Sequence, residues 1–579
     1  MFKPALNKDF YNRLGTYIFI GSLVFYFLLK LPFNLSVLCS SQNEGFYFIW
    51  GQHYLNGLHF HPPERPCLTL LILVYALVLK LFGFGTWSII VVHFIQTFIV
   101  IMIGILMFLI CKTLFTSEFY VGLAVLVWIL VQLTPIGGWG LKHEFESAFT
   151  LEAEYFIVLF SLLSFFSLLK AIQGTNAFLL SVLAGLFASM PIMFKASGGV
   201  LLIAYMCWLV YLTIFKRELI KKNSSNLFCL FGGMLLGLLL FNLGIYLYKV
   251  DLVAYWHRCF DVGVYSDDAV KSAQSFVSSI HMFLRRDVSS TVHNAQSILS
   301  NLLLLGISLF GMVFIGLRSC FTRSSNPSHI FIVLISIWSF GNICAVIAPG
   351  GYGAYYYILV WVPVSIFLIL LIQDIFNYFP SVKFLKILVF GLVIVFFIHR
   401  LYLVTPALLN QISESVKLNM FYQPESFEDP VTRKEKNPNR VYYVPIVADL
   451  INSFIPNKKD TVYILDLPNS KAQAVYFPIT MYVYMKRLCS TTAVSEYFSY
   501  KQYIDNSIEL VKKDFLSMPP KIIVLPHSVH LQDWHLEKMK LFLNWLNSFL
   551  LKNYHIKTEI QVNDSSSNGA DIYAVYERN

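Results

Sequence analysis

The sequence Pro62-Pro63-Glu64-Arg65-Pro66 leads directly into an apolar run, Cys67–Phe82 (CLTLLILVYALVLKLF). The run has 16 residues, whereas a helix that crosses a bilayer needs about 20. Whether it crosses the membrane decides the side on which every later segment of the chain lies. The membrane topology of the whole chain therefore depends on whether this one stretch crosses the bilayer.

Eleven longer apolar runs predict a polytopic α-helical membrane protein. The chain of 579 residues is 57% hydrophobic and 13% charged, with a mean hydropathy of +0.63, whereas a soluble protein carries roughly 25% charged residues. Lipid must therefore solvate much of its surface. About 11 transmembrane helices are expected, near residues 14–31, 88–111, 118–134, 154–171, 176–194, 198–215, 226–247, 297–317, 328–347, 355–373 and 387–405.

Basic residues in the short loops set the orientation of these helices. If Cys67–Phe82 does not cross and the N-terminus is cytoplasmic, the cytoplasmic loops carry Lys and Arg, as the positive-inside rule requires. If the run crossed, the basic cluster at 216–222 would face outward. We therefore expect the run to lie on the outer leaflet or dip into it. The basic residues of the cytoplasmic loops are Lys112, Lys170, Lys216, Arg217, Lys221, Lys222, Arg318, Arg323, Lys383 and Lys386.

This orientation places the long loops and the C-terminal part of the chain on the outer side. Outer loops are expected at 32–87, 135–153, 248–296 and 348–354, followed by everything after about residue 405. Residues 1–430 should form a transmembrane domain, and residues 431–579 an extracytoplasmic domain. The expected location is the cell (inner or plasma) membrane, which the chain crosses many times.

Short segments of mixed composition indicate that the extracytoplasmic domain is a small α/β domain. Predicted strands alternate with predicted helices, which is typical of this class. The expected strands are Thr461–Asp466, Lys521–Leu525 and Ile572–Tyr576, and the expected helices are Ser470–Met485, Ile504–Met518 and Glu537–Leu551.

Several function classes are disfavoured. The net charge of +10 is explained by the cytoplasmic loops, so no nucleic-acid partner is expected. The nine Cys form no CxxC pair, which argues against a zinc site or a disulfide framework. No Gly-rich phosphate loop, GxSxG or HExxH sequence occurs, so transport driven by nucleotide hydrolysis is unsupported. The spacing of His527, His530, Asp533 and His535 superficially suits a metal, but a solvated turn is the favoured interpretation.

Carboxylates are scarce in the first half of the chain, so those in the outer loops are candidates for chemistry. Glu44 follows Asn43 and precedes Tyr47 in the first outer loop, where it could act as a general base or be an ordinary solvated loop residue. A second acidic cluster ends at the start of a predicted span, where the helix dipole alone would favour an acid. Its members are Glu144, Glu146, Glu152 and Glu154.

Basic residues on the outer side are candidates for binding an anion. Lys195 lies between two apolar runs, against the positive-inside tendency, either as a functional residue at membrane depth or as a hairpin residue that reaches water. Arg65 could bind a phosphate or mark the interface by snorkelling. The pairs His257-Arg258 and Arg285-Arg286 could hold a diphosphate or anionic lipid headgroups.

The order of these features resembles the GT-C superfamily of integral-membrane glycosyltransferases, which includes protein O-mannosyltransferases and the aminoarabinose transferases of lipid A. An early acid with a nearby Tyr is followed by Arg65-Pro66, by Glu154 at the start of a span and by Lys195 in a short hairpin. The aromatic sequence Gly353-Ala354-Tyr355-Tyr356-Tyr357 then runs into a late span, and a small α/β tail ends the chain.

The resemblance implies roles for particular residues. Glu44 corresponds to the acid of the family's Asp-Glu pair, with Asn43 replacing the first Asp, and Glu154 corresponds to the acid of the second loop. The resemblance implies that both are catalytic. Arg65 stands for the Lys of a Lys-Pro-Pro motif, and Lys195 matches a recurring Lys. Tyr355-Tyr356 stand where many members have His-Tyr. A divalent cation is compatible with the resemblance, although no cofactor is required by it.

The resemblance also implies a reaction. A sugar would pass, with inversion, from a polyprenyl-phosphate carrier to a hydroxyl acceptor on a lipid, glycan or protein, at the outer face and in contact with membrane lipid. Glu44 would activate the acceptor, and Arg65, Lys195 and Arg258 would stabilise the leaving phosphate.

Two alternatives belong to other classes. A flippase or transporter of lipid-linked glycans should place charges inside the spans and show paired halves, and neither feature is found in the sequence. A non-catalytic scaffold should tolerate Glu44→Ala, whereas a transferase should lose turnover.

Overall fold

The computed structural model describes most of the transmembrane part and parts of the C-terminal region. The described residues are 5–35, 42–55, 69–132, 151–174, 176–247, 252–253, 256, 295–322, 327–347, 357–378, 391, 395, 398, 402, 409, 451–455, 460–464, 504–526, 536–563 and 570–579.

The described residues form a mostly helical chain with one small sheet. The helices are α1 (Ala5–Asn34), α2 (Gln42–Leu55), α3 (Thr69–Phe82), α4 (Thr86–Leu114), α5 (Glu118–Gln132), α6 (Ala153–Ile172), α7 (Ala177–Phe194), α8 (Val200–Phe215), α9 (Arg217–Leu247), α10 (Ala295–Phe321), α11 (Pro327–Ile347), α12 (Ile358–Tyr378), α13 (Ile504–Ser517) and α14 (Leu536–Asn553). The strands are β1 (Val462–Ile464), β2 (Ile522–Pro526), β3 (Tyr554–Asn563) and β4 (Ala570–Arg578).

Eight of the described helices are long and apolar enough to cross a membrane, and three further apolar segments are shorter: Leu70–Phe82 in α3, Glu118–Gln132 in α5 and Gly306–Phe321 in α10. Ten of the eleven predicted spans therefore appear as helices, which confirms the polytopic helical class. The predicted span at 387–405 and the predicted helix Ser470–Met485 lie outside the residues that can be described in full.

The chain divides into two compact units. The first contains Met1–Asn34, Cys67–Leu70 and His93–Ser413, and the second contains Leu35–Pro66, Leu71–Val92 and Glu414–Asn579. The sequence boundary at residue 430 stays a prediction.

Close helix contacts hold the first unit together. Helix α7 packs against both α6 and α9. A Cβ atom added to Gly185 of α7 would collide with the backbone oxygen of Leu230 in α9, so only glycine permits this approach. Between helices in a membrane such small residues matter because dispersion contacts, and not water exclusion, stabilise the pair.

Polar side chains tie the helices at one end of the first unit. Glu118, at the start of α5, accepts hydrogen bonds from Thr16 of α1 (2.8 Å) and pairs with Lys112 of α4 (2.6 Å). Arg318 at the end of α10 pairs with Asp374 at the end of α12 (2.8 Å). These contacts connect the helix ends whose loops the positive-inside rule assigns to the cytoplasm.

At the opposite end of the first unit, the first half of α4 contacts the end of α1. The hydroxyl of Thr97, in the first half of α4, donates to Asn34 Oδ1 at the end of α1 (2.9 Å), and His93 Nδ1 lies 3.0 Å from the carbonyl oxygen of Phe33. Helix α4 therefore begins at the end where α1 stops. This agrees with the expectation that residues 67–82 do not reverse the orientation of the later spans.

The first outer segment differs from the predicted loop. Residues 42–55 form helix α2, which was not predicted, and Thr69–Phe82 form helix α3. Rings pack between the two helices, with Tyr47 5.2 Å and Phe48 5.0 Å from Tyr75 between ring centroids. Burial of these aromatic side chains stabilises a helix that Gly45 and Gly51 disfavour by intrinsic propensity.

The C-terminal residues form a mixed sheet with the strand order β1-β2-β4-β3. Strand β1 is parallel to β2, and β4 is antiparallel to both β2 and β3. Helices α13 and α14 contribute an aromatic core in which Phe515 lies 4.8 Å from Tyr463 and 5.6 Å from Phe549. The predicted strands and the helices Ile504–Met518 and Glu537–Leu551 are confirmed within a few residues, but β3 was not predicted.

We expect the sheet to lose stability in acid through Glu577. Its hydrogen bond with Lys557 (3.0 Å) and the nearby Lys521 (3.4 Å) lower the pKa of this carboxyl below its usual value. A carboxyl with a depressed folded-state pKa stabilises above its unfolded pKa of about 4.3, and this contribution is lost as the pH falls through the folded value. For a partly exposed pair the loss should be about 0.2–1 kcal/mol.

Pulse proteolysis of the full-length chain with pepsin at pH 5 and pH 3 measures this loss. Glu577→Gln should reduce the difference in β4 cleavage between the two pH values. Glu509→Gln, at an exposed carboxylate beside Lys512, serves as the control. An unchanged pH dependence in Glu577→Gln would contradict the assignment.

Candidate functional site

Two residues singled out in the sequence form a buried ion pair. Lys195 Nζ donates a hydrogen bond to Glu154 Oε1 at 2.7 Å. The side chain of Glu154 is 1% exposed and that of Lys195 is 15% exposed. The structure therefore joins the start of α6 to the segment after α7, and it contradicts the interpretation of Lys195 as a residue that merely reaches water.

The first turn of α6 positions Glu154. The helix begins at Ala153, after Glu152 in an extended conformation (φ −98°, ψ 158°), so Glu154 lies where the helix dipole favours a negative charge. The next residue, Tyr155, is fully buried, and its hydroxyl accepts a hydrogen bond from Gln132 Nε2 at the end of α5 (2.9 Å). The dipole and this hydrogen bond hold the first turn of α6 in place.

A break between two helices positions Lys195. The residue is extended (φ −164°, ψ 148°) between α7 and a short 3-10 turn, Ala196–Gly199. Gly198 in that turn lies so close to the backbone of Pro191 that an added Cβ would collide with it. The tight turn directs the side chain of Lys195 away from the axis of α7 and toward α6.

Aromatic stacking beside the ion pair fixes the register of α6 on α7. The rings of Phe156 and Phe194 stack at 4.5 Å with an interplanar angle of 7°, and Phe160 lies 5.9 Å from Phe194. Because Phe156 follows Glu154 by two residues and Phe194 precedes Lys195, this stack sets the spacing of the two charges.

The ion pair can present a positive charge to an anion. Glu154 holds the ammonium in place through one carboxylate oxygen, Oε1, while the Lys195 side chain keeps some exposure. The other oxygen, Oε2, is buried without a hydrogen-bond partner among the described residues. In an apolar setting, a positioned ammonium interacts with an approaching anion more strongly than it would in water.

Glu44 is also buried, in the second unit. It lies in the first turn of α2 and is fully inaccessible to solvent, which contradicts the interpretation as an ordinary solvated loop residue. Aromatic side chains surround this turn: Phe46 stacks on Trp50 at 5.5 Å, and Tyr47 lies 6.4 Å from Trp50. Burying a carboxylate among apolar side chains is costly, so Glu44 is a candidate functional residue.

The remaining predicted site residues lie outside the described residues. These are Arg65, Arg258, Tyr355 and Tyr356, together with Asn43's side chain, Glu144, Glu146, the pair Arg285-Arg286 and the 527–535 segment. Tyr357, which follows the aromatic pair, is described. It is buried at the start of α12 and stacks on Trp361 at 6.0 Å.

The resemblance seen in the sequence leaves open whether the protein binds a divalent cation. Among the residues that the structure describes, no group of three or more His, Cys, Asp or Glu side chains could hold a metal ion.

Sequence reasoning missed a set of buried polar residues on α1. Tyr26, Lys30 and Asn34 follow one another at intervals of four along this helix, and all three are buried. The spacing of these residues in the sequence could have revealed them, because polar residues at i, i+4 and i+8 lie on one face of a helix. Lys30, near the end of the first predicted span, was nevertheless not singled out.

We expect the Glu154–Lys195 pair to be strongly coupled energetically. Lys195→Met leaves a carboxylate buried and unpaired, which should destabilise the protein by about 3–5 kcal/mol. Glu154→Gln should partly rescue it, because the double variant buries no unpaired charge. Thermal unfolding in detergent micelles measures both effects, with Lys170→Met at the other end of α6 as the control. Additive effects of the two single changes would contradict the coupling.

Comparisons with known proteins find similarity to solved structures only. No family model matches the chain, and no curated protein matches it. Among solved structures, the crystal structure of the Archaeoglobus fulgidus oligosaccharyltransferase in the apo form is similar to this chain, with a TM-score of 0.47 and 12% sequence identity over 88% of this chain and 69% of that one.

Proposed function

We propose that this protein is a membrane glycosyltransferase that moves a sugar from a polyprenyl-phosphate carrier to a hydroxyl acceptor. The observation that carries the proposal is the buried pair of Glu154 and Lys195. It holds an ammonium at the end of the helical bundle opposite the basic loops, where the resemblance expects the phosphate of the donor. The burial of Glu44 supports the same proposal independently.

On the basis of the resemblance, Glu44 is proposed as the base that accepts the proton of the acceptor hydroxyl. The oxygen attacks the anomeric carbon of the sugar from the face opposite the phosphate, and a new C–O bond forms. The bond between the anomeric carbon and the phosphate oxygen breaks, and its electron pair stays on the polyprenyl phosphate. The configuration of the anomeric carbon is inverted.

Lys195 has an electrostatic role in this scheme. Negative charge builds on the phosphate as its bond to the sugar breaks, and a positioned ammonium stabilises that charge in the transition state. Glu154 takes no part in bond making; it keeps the ammonium oriented and prevents it from turning toward the surrounding apolar side chains. Arg65 and Arg258 are proposed as further phosphate ligands on the basis of the resemblance alone.

A transporter of lipid-linked glycans is the second candidate. From the sequence, no charge was assigned to the interior of a span. Lys30 of α1 is nevertheless fully buried, and ionisable residues within spans often mark transport pathways. A transporter moves the lipid-linked sugar without breaking its bond to phosphate. Release of free polyprenyl phosphate therefore separates the two candidates.

The test is a turnover assay on the purified full-length chain with synthetic polyprenyl-phosphate monosaccharides. The wild type should release polyprenyl phosphate, and Glu44→Gln should lower kcat by about 10²–10⁴, the range for loss of a general base. Glu509→Gln, at an exposed carboxylate, should match the wild type.

The stability of Glu44→Gln must be checked by thermal unfolding, since a folded but inactive variant is the expected result. Turnover at the wild-type rate in Glu44→Gln would eliminate the carboxylate as the base. Movement of the lipid-linked sugar across vesicles without release of polyprenyl phosphate would favour the transporter.

A further inference from the structure

The hydroxyl of Tyr155, at the start of α6, lies among polar side chains of other helices. Gln132 at the end of α5 donates a hydrogen bond to it (2.9 Å), and Gln96 of α4 hydrogen-bonds the same oxygen. Tyr26 of α1 interacts electrostatically with Tyr155. All four residues are buried. One hydroxyl therefore connects the first turn of α6 to α4 and α5, with α1 beside it.

The first turn is the part of α6 that backbone hydrogen bonds hold least. The first four N–H groups of a helix have no partner of the regular helical pattern. Here the N–H of Tyr155 donates to the carbonyl oxygen of Glu152 at 3.3 Å, which is longer than a typical backbone hydrogen bond of about 2.9–3.0 Å. Side-chain contacts therefore have a large part in deciding where Glu154, in the same turn, lies.

The contact between Glu154 and Lys195 tolerates little rotation of α6 about its axis. Because Glu154 and Tyr155 are neighbours in the sequence, their side chains leave the helix about 100° apart. A helix with its side chains has a radius of about 5–6 Å, so a rotation of about 20° moves a carboxylate by about 2 Å. Such a displacement would break the 2.7 Å contact with the ammonium. The hydrogen bonds of Tyr155 resist this rotation from a second direction.

A second buried tyrosine contacts the same helix far from the ion pair. The hydroxyl groups of Ser164 in α6 and Tyr205 in α8 lie 2.7 Å apart, and both residues are buried. Ser164 follows Glu154 by ten residues, which corresponds to about 15 Å along the helix axis. Helix α6 therefore carries two similar tyrosine contacts, of which one lies beside the charges.

We infer that Tyr155 is a positioning residue for the ion pair of Glu154 and Lys195. Its hydroxyl, held by Gln132 and Gln96, fixes the rotation of the first turn of α6 and so keeps the Glu154 carboxylate on the ammonium. Tyr155 acts through Glu154 and takes no part in bond making. Its effect on turnover rests on the proposed function, whereas its effect on the ion pair does not.

Chemical labelling of Lys195 tests the effect on the ion pair without any turnover. The full-length chain in detergent micelles is treated with the N-hydroxysuccinimide ester of acetic acid. Mass spectrometry then measures acetylation at Lys195 relative to Lys170, at the other end of α6. The reagent attacks a neutral amine, and a carboxylate at 2.7 Å favours the charged form. Tyr155→Phe should therefore raise acetylation at Lys195 several-fold.

Tyr205→Phe is the matched control, because it also removes one buried tyrosine hydroxyl from a contact with α6. Both variants should lower the temperature of thermal unfolding by similar amounts, but Tyr205→Phe should leave acetylation at Lys195 at the wild-type level. Gln132→Met removes the donor to Tyr155 and should also raise acetylation, which keeps the test available if Tyr155→Phe does not fold. Combining Gln132→Met with Tyr155→Phe should raise acetylation no further, since both changes act through one hydroxyl.

Turnover separates positioning from a general loss of structure. With a synthetic polyprenyl-phosphate monosaccharide, Tyr155→Phe should lower kcat about 10- to 100-fold, the effect of displacing an interacting group by about 1 Å. KM should change little, because the lost interaction is one made in the transition state. Tyr205→Phe should keep the wild-type kcat and KM.

Two results would overturn the inference. Acetylation at the wild-type level in both Tyr155→Phe and Gln132→Met would show that the hydroxyl does not hold the ion pair. An equal rise of acetylation in Tyr205→Phe would show a general loosening of α6. If acetylation rises as expected but the wild-type protein has no turnover, the proposed function fails and the positioning of the ion pair stands.

Discussion

The buried ion pair between Glu154 and Lys195 is the constraint on which the end of the first unit opposite its basic loops depends. A charge in an apolar interior is tolerated only when a partner of opposite sign and fixed geometry accompanies it. The extended residue after α7, the tight turn at Gly198 and the stack of Phe156 on Phe194 all serve this geometry. The backbone break between α7 and α8 is therefore a requirement of the electrostatics.

The two ends of the helical bundle use polar groups differently. At the end that carries the basic loops, exposed or half-exposed pairs such as Arg318–Asp374 connect helix termini and each contributes little energy. At the opposite end the pair of Glu154 and Lys195 is buried, and buried polar groups require a partner. Electrostatic interactions are therefore stronger around this pair than around the exposed pairs.

Much of the fold could be predicted because length and hydropathy determine where a helix can cross a bilayer. Lys195 and Glu154 were also identified, since a charge next to an apolar run is visible in sequence. Burial is not visible in the sequence, so Lys30 was not singled out. Strand β3 was missed although residues 554–562 alternate between apolar or uncharged and polar side chains, the pattern of a half-buried strand. Helix α2 was missed because tertiary packing of its aromatic residues overrides weak helix propensity.

The low burial of α1 has a consequence for how this helix is held in the bundle. Only 22% of its most apolar window is buried, so acyl chains of the membrane cover most of its surface. Its place therefore depends on a few polar contacts, such as those of Thr16 with Glu118 and of Asn34 with Thr97. Loss of either contact would leave lipid packing alone to fix the rotation of this helix about its axis.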